Sequence, residues 1–336
     1  MSSNSRTEDV SSLWQVGVDA GIHAVGLETP FPVGPVNSYF LADEPVTVVD
    51  AGLGMGDSLA RLESTLASAG VTLADVKRLV ITHGHPDHFG GAAEVAAGSG
   101  ATILASEAEL AKLQGGYDRG LGQTLLASLG VPEEIIASAR FFLEAASTWI
   151  KPLTGLDVVS LSDGDRLRCG DRDIVVLVSS GHARGHVSLW DADNRILLSG
   201  DHLLAEITPN PTLEPDAGSE LFRRRSLEEY LASLDRYVEL DPLLVLPGHG
   251  PPFSDVAGLV EGIRRHHAQR AETILTHLRG LGHTTAYELS RVTFPDVDSV
   301  GAILSVSEVV GHLDILVSEG RATVDLEIPF HYEASR

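Results

Sequence analysis

Four side chains able to hold a metal ion fall within six residues: His83-Gly84-His85-Pro86-Asp87-His88. In an extended segment alternate residues point the same way, so His83 and His85 can face one cation together. A turn at Pro86 then lets Asp87 and His88 face a second. Three further candidates stand downstream: His182 in Ser-Gly-His-Ala-Arg-Gly-His, Asp201 in Leu-Leu-Ser-Gly-Asp-His, and His249 in Leu-Pro-Gly-His-Gly. Each follows an apolar run and a glycine, which lets the backbone turn tightly beside an ion. Single His or Asp residues in loops are usually incidental. Four at this spacing with three repeats of one pattern are not. Such a donor set suits two divalent cations about 3.5–4 Å apart that share a water, lower its pKa and stabilise the oxyanion formed when it attacks. Zinc fits the His/Asp donors, and carboxylate-containing dinuclear sites also accept iron or manganese.

The elements around these residues alternate in type. A hairpin is expected between Gly34 and Val49, ending at Asp50. A helix over Asp57–Ser68 is marked by Leu59, Leu62 and Leu66, followed by a buried strand over Val76–Thr82. His83 to Gly91 reads as a loop, Ala92–Ala97 as a helix start and Ala101–Ala105 as a strand. Strands resume at Val158–Leu161, Arg166–Cys169, Ile174–Ser179, Val187–Asp191, Ile196–Gly200 and Leu243–Leu246, with an amphipathic helix over Leu227–Val238. This pattern is that of a layered domain of helices and sheets. The segment 107–149 breaks the rhythm with helical stretches joined by Gly-rich turns. It is read as an insertion that lids the site and shapes substrate choice more than metal content. Beyond His249 come a long helix over Val256–Leu281, helices over Thr284–Val292 and Val306–Ser318, and an extended Ala322–Ile328, the order of a small winged-helix-like domain. The expected organisation is a disordered tail over 1–12, a catalytic domain over 13–255 and the winged-helix-like domain over 256–336.

The H-x-H-x-D-H run, the later Gly-His, Ser-Gly-Asp and Pro-Gly-His-Gly resemble the metallo-β-lactamase-fold hydrolase superfamily over about Val33 to Pro252. The resemblance implies an α+β fold, a four-layer αβ/βα sandwich with both metal positions at one edge. It implies that His83, His85 and His182 hold one ion, that Asp87, His88 and His249 hold the other, and that Asp201 bridges them. Asp87 would also orient the shared hydroxide. An Asp at the bridging position is similar to the glyoxalase II and ribonuclease-like branches; lactam-cleaving members have Cys in the metal site there. Ile207-Thr-Pro-Asn-Pro, His266-His267-Ala-Gln-Arg and Thr285-Ala-Tyr-Glu-Leu resemble the subgroup with a C-terminal winged helix, which includes a mitochondrial endoribonuclease, β-lactamase-like protein two.

Other residues carry weaker signals. His186, four residues past His182, is a candidate for supporting the metal ligands or contacting substrate, and His202, beside Asp201, for contact with substrate or leaving group, with hydrogen bonding and packing at the strand end as the alternatives. Asp50 is expected to hydrogen-bond the metal-ligand loop. Arg223, Arg224 and Arg225 could bind a phosphate or carboxylate, although Glu228 and Glu229, one helical turn on, could instead pair with them. His266 and His267 point about 100° apart on a helix, so packing rather than chelation is expected of them.

Composition limits the partners. The net charge of −23 opposes binding to nucleic acid or an anionic membrane. The segment from Val256 holds seven Arg, no Lys and eleven acids, so it is expected to wall the site or make a homodimer contact rather than bind DNA. The one cysteine, Cys169, suits a reducing cytoplasm. Only Lys77, Lys112 and Lys151 are lysines among 24 basic residues, a bias that hints at a GC-rich bacterial genome. The expected activity is hydrolysis of a small-molecule ester, thioester or lactone, with single-strand RNA cleavage as the alternative and a non-catalytic metal-bound regulator behind both.

Overall fold

Runs such as Leu79-Val80-Ile81 and Leu244-Val245-Leu246 are too short for buried helices, and they form strands covered on both faces. The computed structural model describes residues 9–116 and 119–336. The first sheet holds β1 (Ile22–Leu27), β2 (Val36–Leu41), β3 (Thr47–Val49), β4 (Arg78–Val80), β5 (Thr102–Ser106) and β6 (Val158–Leu161) in that order. It is antiparallel to β3 and parallel from there on. The second sheet runs β7 (Arg166–Cys169), β8 (Arg172–Ser179), β9 (His186–Asp191), β10 (Ile196–Gly200), β11 (Leu244–Pro247), with β10 and β11 parallel and the other pairs antiparallel.

Helices complete the layers: α1 (Val10–Asp19), α2 (Ser58–Ser68), α3 (Pro86–Phe89), α4 (Ala92–Ser99), α5 (Leu110–Leu113), α6 (Arg119–Ser128), α7 (Glu133–Ala146), α8 (Ser226–Leu240), α9 (Val256–Leu281), α10 (Ala286–Thr293) and α11 (Ser299–Ser318). Side chains alternate along each strand, which sorts the core into layers. Val48, Leu79 and Ile103 pack outward on Leu62 and Leu66 of α2 and Val95 of α4. Val49, Val80 and Leu104 face Ile174, Val176, Leu189 and Leu198 between the sheets. Leu177, Trp190 and Leu197 pack outward on Leu227, Tyr230 and Leu234 of α8 and Ile263 of α9. The result is helix, sheet, sheet, helix, the sandwich expected from the sequence.

Several boundaries differ from the sequence reading. Residues 1–8 of the expected tail lie outside the described residues, but Val10–Asp19 is a helix capped by the Asp9 side chain, with Leu13 and Trp14 against the inter-sheet core. The ligand loop contains α3, with Pro86 in its first turn where a missing N–H costs nothing. After α9 come β12 (Thr284–Thr285), α10, α11, β13 (Ala322–Asp325) and β14 (His331–Ala334), the strands forming a three-stranded sheet of order β12-β14-β13. The last strand was not anticipated.

The insertion is not a free-standing cover. Leu125, Leu129, Val131 and Ile136 share one core with Ile274, Leu275 and Leu278 of α9, Leu289 of α10 and Val306, Val310 and Leu313 of α11. Leu129 O and Ser128 O accept from the backbone N–H groups of Tyr287 and Phe330. Gly301–Ser318 is apolar and long enough to cross a bilayer, but Val306, Val309, Val310, Leu313 and Leu316 are spent in this shared core.

Candidate metal centre

All seven predicted ligands lie beyond the C-terminal ends of strands that end at the same edge of the sandwich. His83, His85, Asp87 and His88 follow β4, and His182 follows β8. Asp201 and His249 follow the parallel pair β10 and β11. Six of the seven are buried, and His85 is half-buried. Two glycines show why the strand-end pattern is needed. A Cβ at Gly248 would lie 2.2 Å from Asp201 Oδ1, and one at Gly200, where φ is +50°, would lie 2.5 Å from His186 Nε2.

The protons on the ligating rings are set by their outward partners. Thr82 Oγ1 donates to Asp50 Oδ2 (2.8 Å) and so accepts from His83 Nδ1 (3.0 Å). His88 Nδ1 donates to Asp50 Oδ2 (2.7 Å), His249 Nδ1 to Pro35 O (2.9 Å) and His182 Nδ1 to Asn210 O (3.3 Å). The outward bonds leave Nε2 of each ring facing inward, and on His83 and His182, which burial pushes below the usual imidazole range, it carries a lone pair. His83 Nε2 and His182 Nε2 converge on His85 Nδ1 at 2.8 and 3.0 Å. One proton between them is all that this trio offers without a cation. Asp201 Oδ2 lies 3.4 Å from His88 Nε2 and 3.6 Å from both His182 Nε2 and His249 Nε2, and Asp87 Oδ2 lies 3.3 Å from His249 Nε2. His88 Nε2, His249 Nε2 and Asp201 Oδ1 are buried without hydrogen-bond partners. Lone pairs facing lone pairs and orphaned buried acceptors are what a cation satisfies. The donors fall into groups that could hold metal ions, and Asp201 lies close to the histidines of both halves of the set.

Charge supports the same reading. Burial pushes His83 and His85 well below the usual imidazole range, and their neighbours push further. Burial also pulls His88 down, but Asp201, Asp50 and Asp87 outweigh it and hold it well above that range. Burial raises Asp201, yet His88, His182 and His249 outweigh it and keep the carboxylate far below its ordinary value.

Asp50 does bond the ligand loop, accepting from Thr82 N (2.8 Å) as well as from Thr82 Oγ1 and His88. It sits at φ +59°, an unusual conformation for a residue other than glycine. Glu109 is a feature the sequence reading missed. Fully buried, it accepts from Gly84 N, between His83 and His85, and from Gly185 N, beside His186, both at 2.9 Å. Lys112 lies 3.5 Å from Glu109 and also pairs with Glu214. A Glu in the first turn of the insertion thus ties two ligand loops together. Nothing in its local spacing announces this.

One expectation is narrowed and two are corrected. His186 is fully buried and its Nε2 accepts from Asp201 N (3.0 Å), so it orients Asp201 rather than touching substrate. His202 is also fully buried; its Nε2 donates to Ser233 Oγ (2.7 Å) and its ring packs on Tyr230 and Tyr237, which removes it from contact with substrate. Arg223, Arg224 and Arg225 are not a phosphate site: buried Arg223 pairs with Asp314, Arg224 with Glu229 (2.8 Å) and Arg225 with Glu228 (3.3 Å). The carboxylates considered as competitors, and one from α11, have taken the guanidinium groups.

Comparison with known proteins agrees with the geometry. A probable metallo-hydrolase of Bacillus subtilis, YqjP, is 33% identical over 316 residues, covering 89% of this chain and 93% of that protein. The human acyl-coenzyme A thioesterase MBLAC2 is 27% identical over 223 residues, covering 62% of this chain and 71% of that one. The crystal structure of a metallo-beta-lactamase family protein from Thermus thermophilus, TTHA1429, superposes with a TM-score of 0.80 at 29% identity, covering 94% of this chain and 99% of that one. The profile described as "Metallo-beta-lactamase superfamily" matches residues 31–249, and with the site it encloses this means that the chain belongs to the metallo-beta-lactamase superfamily of hydrolases.

Proposed function

We propose that this protein is a dinuclear metallo-hydrolase of small-molecule acyl thioesters. The observation that carries the hydrolytic part is the placement of Asp201 Oδ2 within 3.4–3.6 Å of the inward nitrogens of His88, His182 and His249, which joins the two halves of the donor set through one carboxylate. His83, His85 and His182 would hold one ion and Asp87, His88 and His249 the other. Bound there, the pair supplies a Lewis acid and a water acidic enough to ionise near neutral pH. The chain's own groups do the rest. Asp50 and Thr82 fix the tautomers of His88 and His83, His186 fixes the Asp201 backbone, and Asp87 is placed to orient the attacking water. Zinc is the ion these donors favour.

The choice of thioesters over esters and lactones is supported by the thioesterase relative. Opposing RNA is the pairing of every arginine in the 223–225 run with a carboxylate, in a chain of net charge −23; a single-strand channel needs free cations along its length. The test compares kcat/KM for acyl-coenzyme A thioesters, neutral short-chain thioesters, lactones and single-stranded RNA across a salt series, with Asp201→Ala as the blank. Thioester turnover that exceeds the others and vanishes in the blank is expected. Efficient RNA cleavage that salt weakens and the blank abolishes would reverse the assignment.

A further inference from the structure

A second group of metal-competent side chains lies away from the strand-end cluster, where α9 meets α11. His266 and His267 on α9 and Glu308 on α11 each bring one donor atom to within 4.8 Å of the others. Adjacent residues on a helix are not expected to chelate together, but Glu308 approaches from the neighbouring helix and closes the group. Tyr230 of α8 stands between the two sites, its ring packed on His202 on one side (5.0 Å) and on His267 on the other (6.4 Å).

The hydrogen bonds fix where the lone pairs are. Glu308 O can only accept, so His312 Nδ1 carries the proton of their 2.7 Å bond. Both rings are buried between the two helices. His312 Nε2 is then an acceptor, and His267 Nδ1 must donate to it across 3.1 Å. That leaves His267 Nε2 with a lone pair, in a side chain 2% exposed, and no donor reaches it. Half-buried His266 brings one ring nitrogen within 4.8 Å of the donors of His267 and Glu308. Arg270 Nε, 3.8 Å from Glu308 Oε1, is the positive group facing the carboxylate, and it is held over the Phe294 ring at 4.9 Å. A cation on Glu308 would displace it.

We propose that His266, His267 and Glu308 form a separate structural site for one divalent ion of the zinc class, oriented by His312, that clamps α9 to α11. Two imidazoles and a carboxylate are donors that Zn²⁺ accepts, and the His312-to-His267 bond is the kind of outer contact that fixes a ligating ring. An ion there would add its binding energy to the stability of the C-terminal helices. The site is independent of the strand-end cluster and of its chemistry.

The test uses the full chain, equilibrated with Zn²⁺ and dialysed, with zinc per chain measured by plasma emission and the zinc-dependent rise in Tm measured alongside. Five proteins are compared: wild type, His266→Ala, Glu308→Gln, Asp201→Ala and the double variant Asp201→Ala with His266→Ala. The expected result is one ion fewer per chain in His266→Ala and in Glu308→Gln, a smaller zinc-dependent rise in Tm, and unchanged hydrolysis. Asp201→Ala retains the ion in question and loses it when His266→Ala is added. Because the reading is a difference of one ion, it stands whatever the strand-end cluster holds. Equal zinc counts and equal Tm shifts in wild type, His266→Ala and Glu308→Gln overturn the proposal.

Discussion

Glu109 offers the sharpest test of how this site is held together. Its carboxylate receives two backbone N–H groups from different ligand loops, each at 2.9 Å and away from bulk water. A hydrogen bond to a charged acceptor contributes about 1.5–3 kcal/mol, so Glu109→Ala removes about 3–6 kcal/mol and leaves two donors unpaired. It also strips Lys112 of one of its two carboxylate neighbours. Glu109→Gln keeps one acceptor oxygen and turns an amide N–H against the other donor, so about half that loss is expected. The consequence for the metals follows from geometry. Gly84 sits between two ligands, and Gly185 precedes the His186 that holds Asp201, so the two loops would drift apart. Zinc affinity should fall about 10–100-fold, as it does when outer contacts of other metal sites are removed. The assay is competition with a chromophoric chelator, run beside a urea titration so that lost affinity is compared at equal folded fraction. Affinity in both variants within about twofold of wild type, against the 10–100-fold loss expected, refutes the clamp.

Four other outcomes follow from the same contacts. Asp201→Ala should lower both metal content and turnover by orders of magnitude while far-ultraviolet circular dichroism stays native, since Asp201 serves both halves of the donor set; near-normal metal content and rate would remove its bridging role. Arg223→Ala should destabilise by about 3–5 kcal/mol in urea, because it leaves Asp314 buried without its partner; the apolar double variant Arg223→Met with Asp314→Leu should recover most of that, and equal losses in both would refute the pairing argument. Leu129→Ala should cost about 2–5 kcal/mol and increase hydrogen exchange in α10 and α11, whereas an effect confined to the insertion would show that the core is not shared. His202→Phe should leave kcat/KM and its pH profile close to wild type, and loss of an ionisation from that profile would return His202 to the catalytic machinery.

What the sequence made legible was whatever is written locally. Four donors in six residues, and three ligands each preceded by glycine at a strand end, declare themselves because the close approach to a metal restricts the neighbouring residue, as the 2.2 Å from a Cβ at Gly248 to Asp201 shows. Asp50 was legible for a similar reason: it ends a strand at the edge where the ligands gather. The layers followed from strand-length apolar runs alternating with amphipathic helices. The substrate role offered for His202 fails because proximity in sequence to a ligand says nothing about which way a ring faces; like His186, it is turned into the protein. Arg224 and Arg225 pair with the Glu229 and Glu228 that the local spacing offered, whereas Arg223 takes Asp314, 91 residues away, a partner no local pattern could supply.

The insertion shows how long-range packing adds to what the local pattern of a segment suggests about a site. Taken as a lid, residues 107–149 should shape substrate choice more than metal content. The structure divides the segment by function instead. Its first turn carries Glu109 into the ligand loops, and its helices carry Leu125 and Leu129 into the core of α9, α10 and α11. From that core Asp314 of α11 reaches Arg223, and Glu214, nine residues earlier, pairs with the Lys112 that sits beside Glu109. Metal loops, insertion and C-terminal helices are therefore joined by buried charge pairs and one shared apolar core. Excising the whole insertion removes a support of the metal centre, so metal content should fall with it. Whether the insertion also selects substrate can be tested only with Glu107–Leu113 left in place.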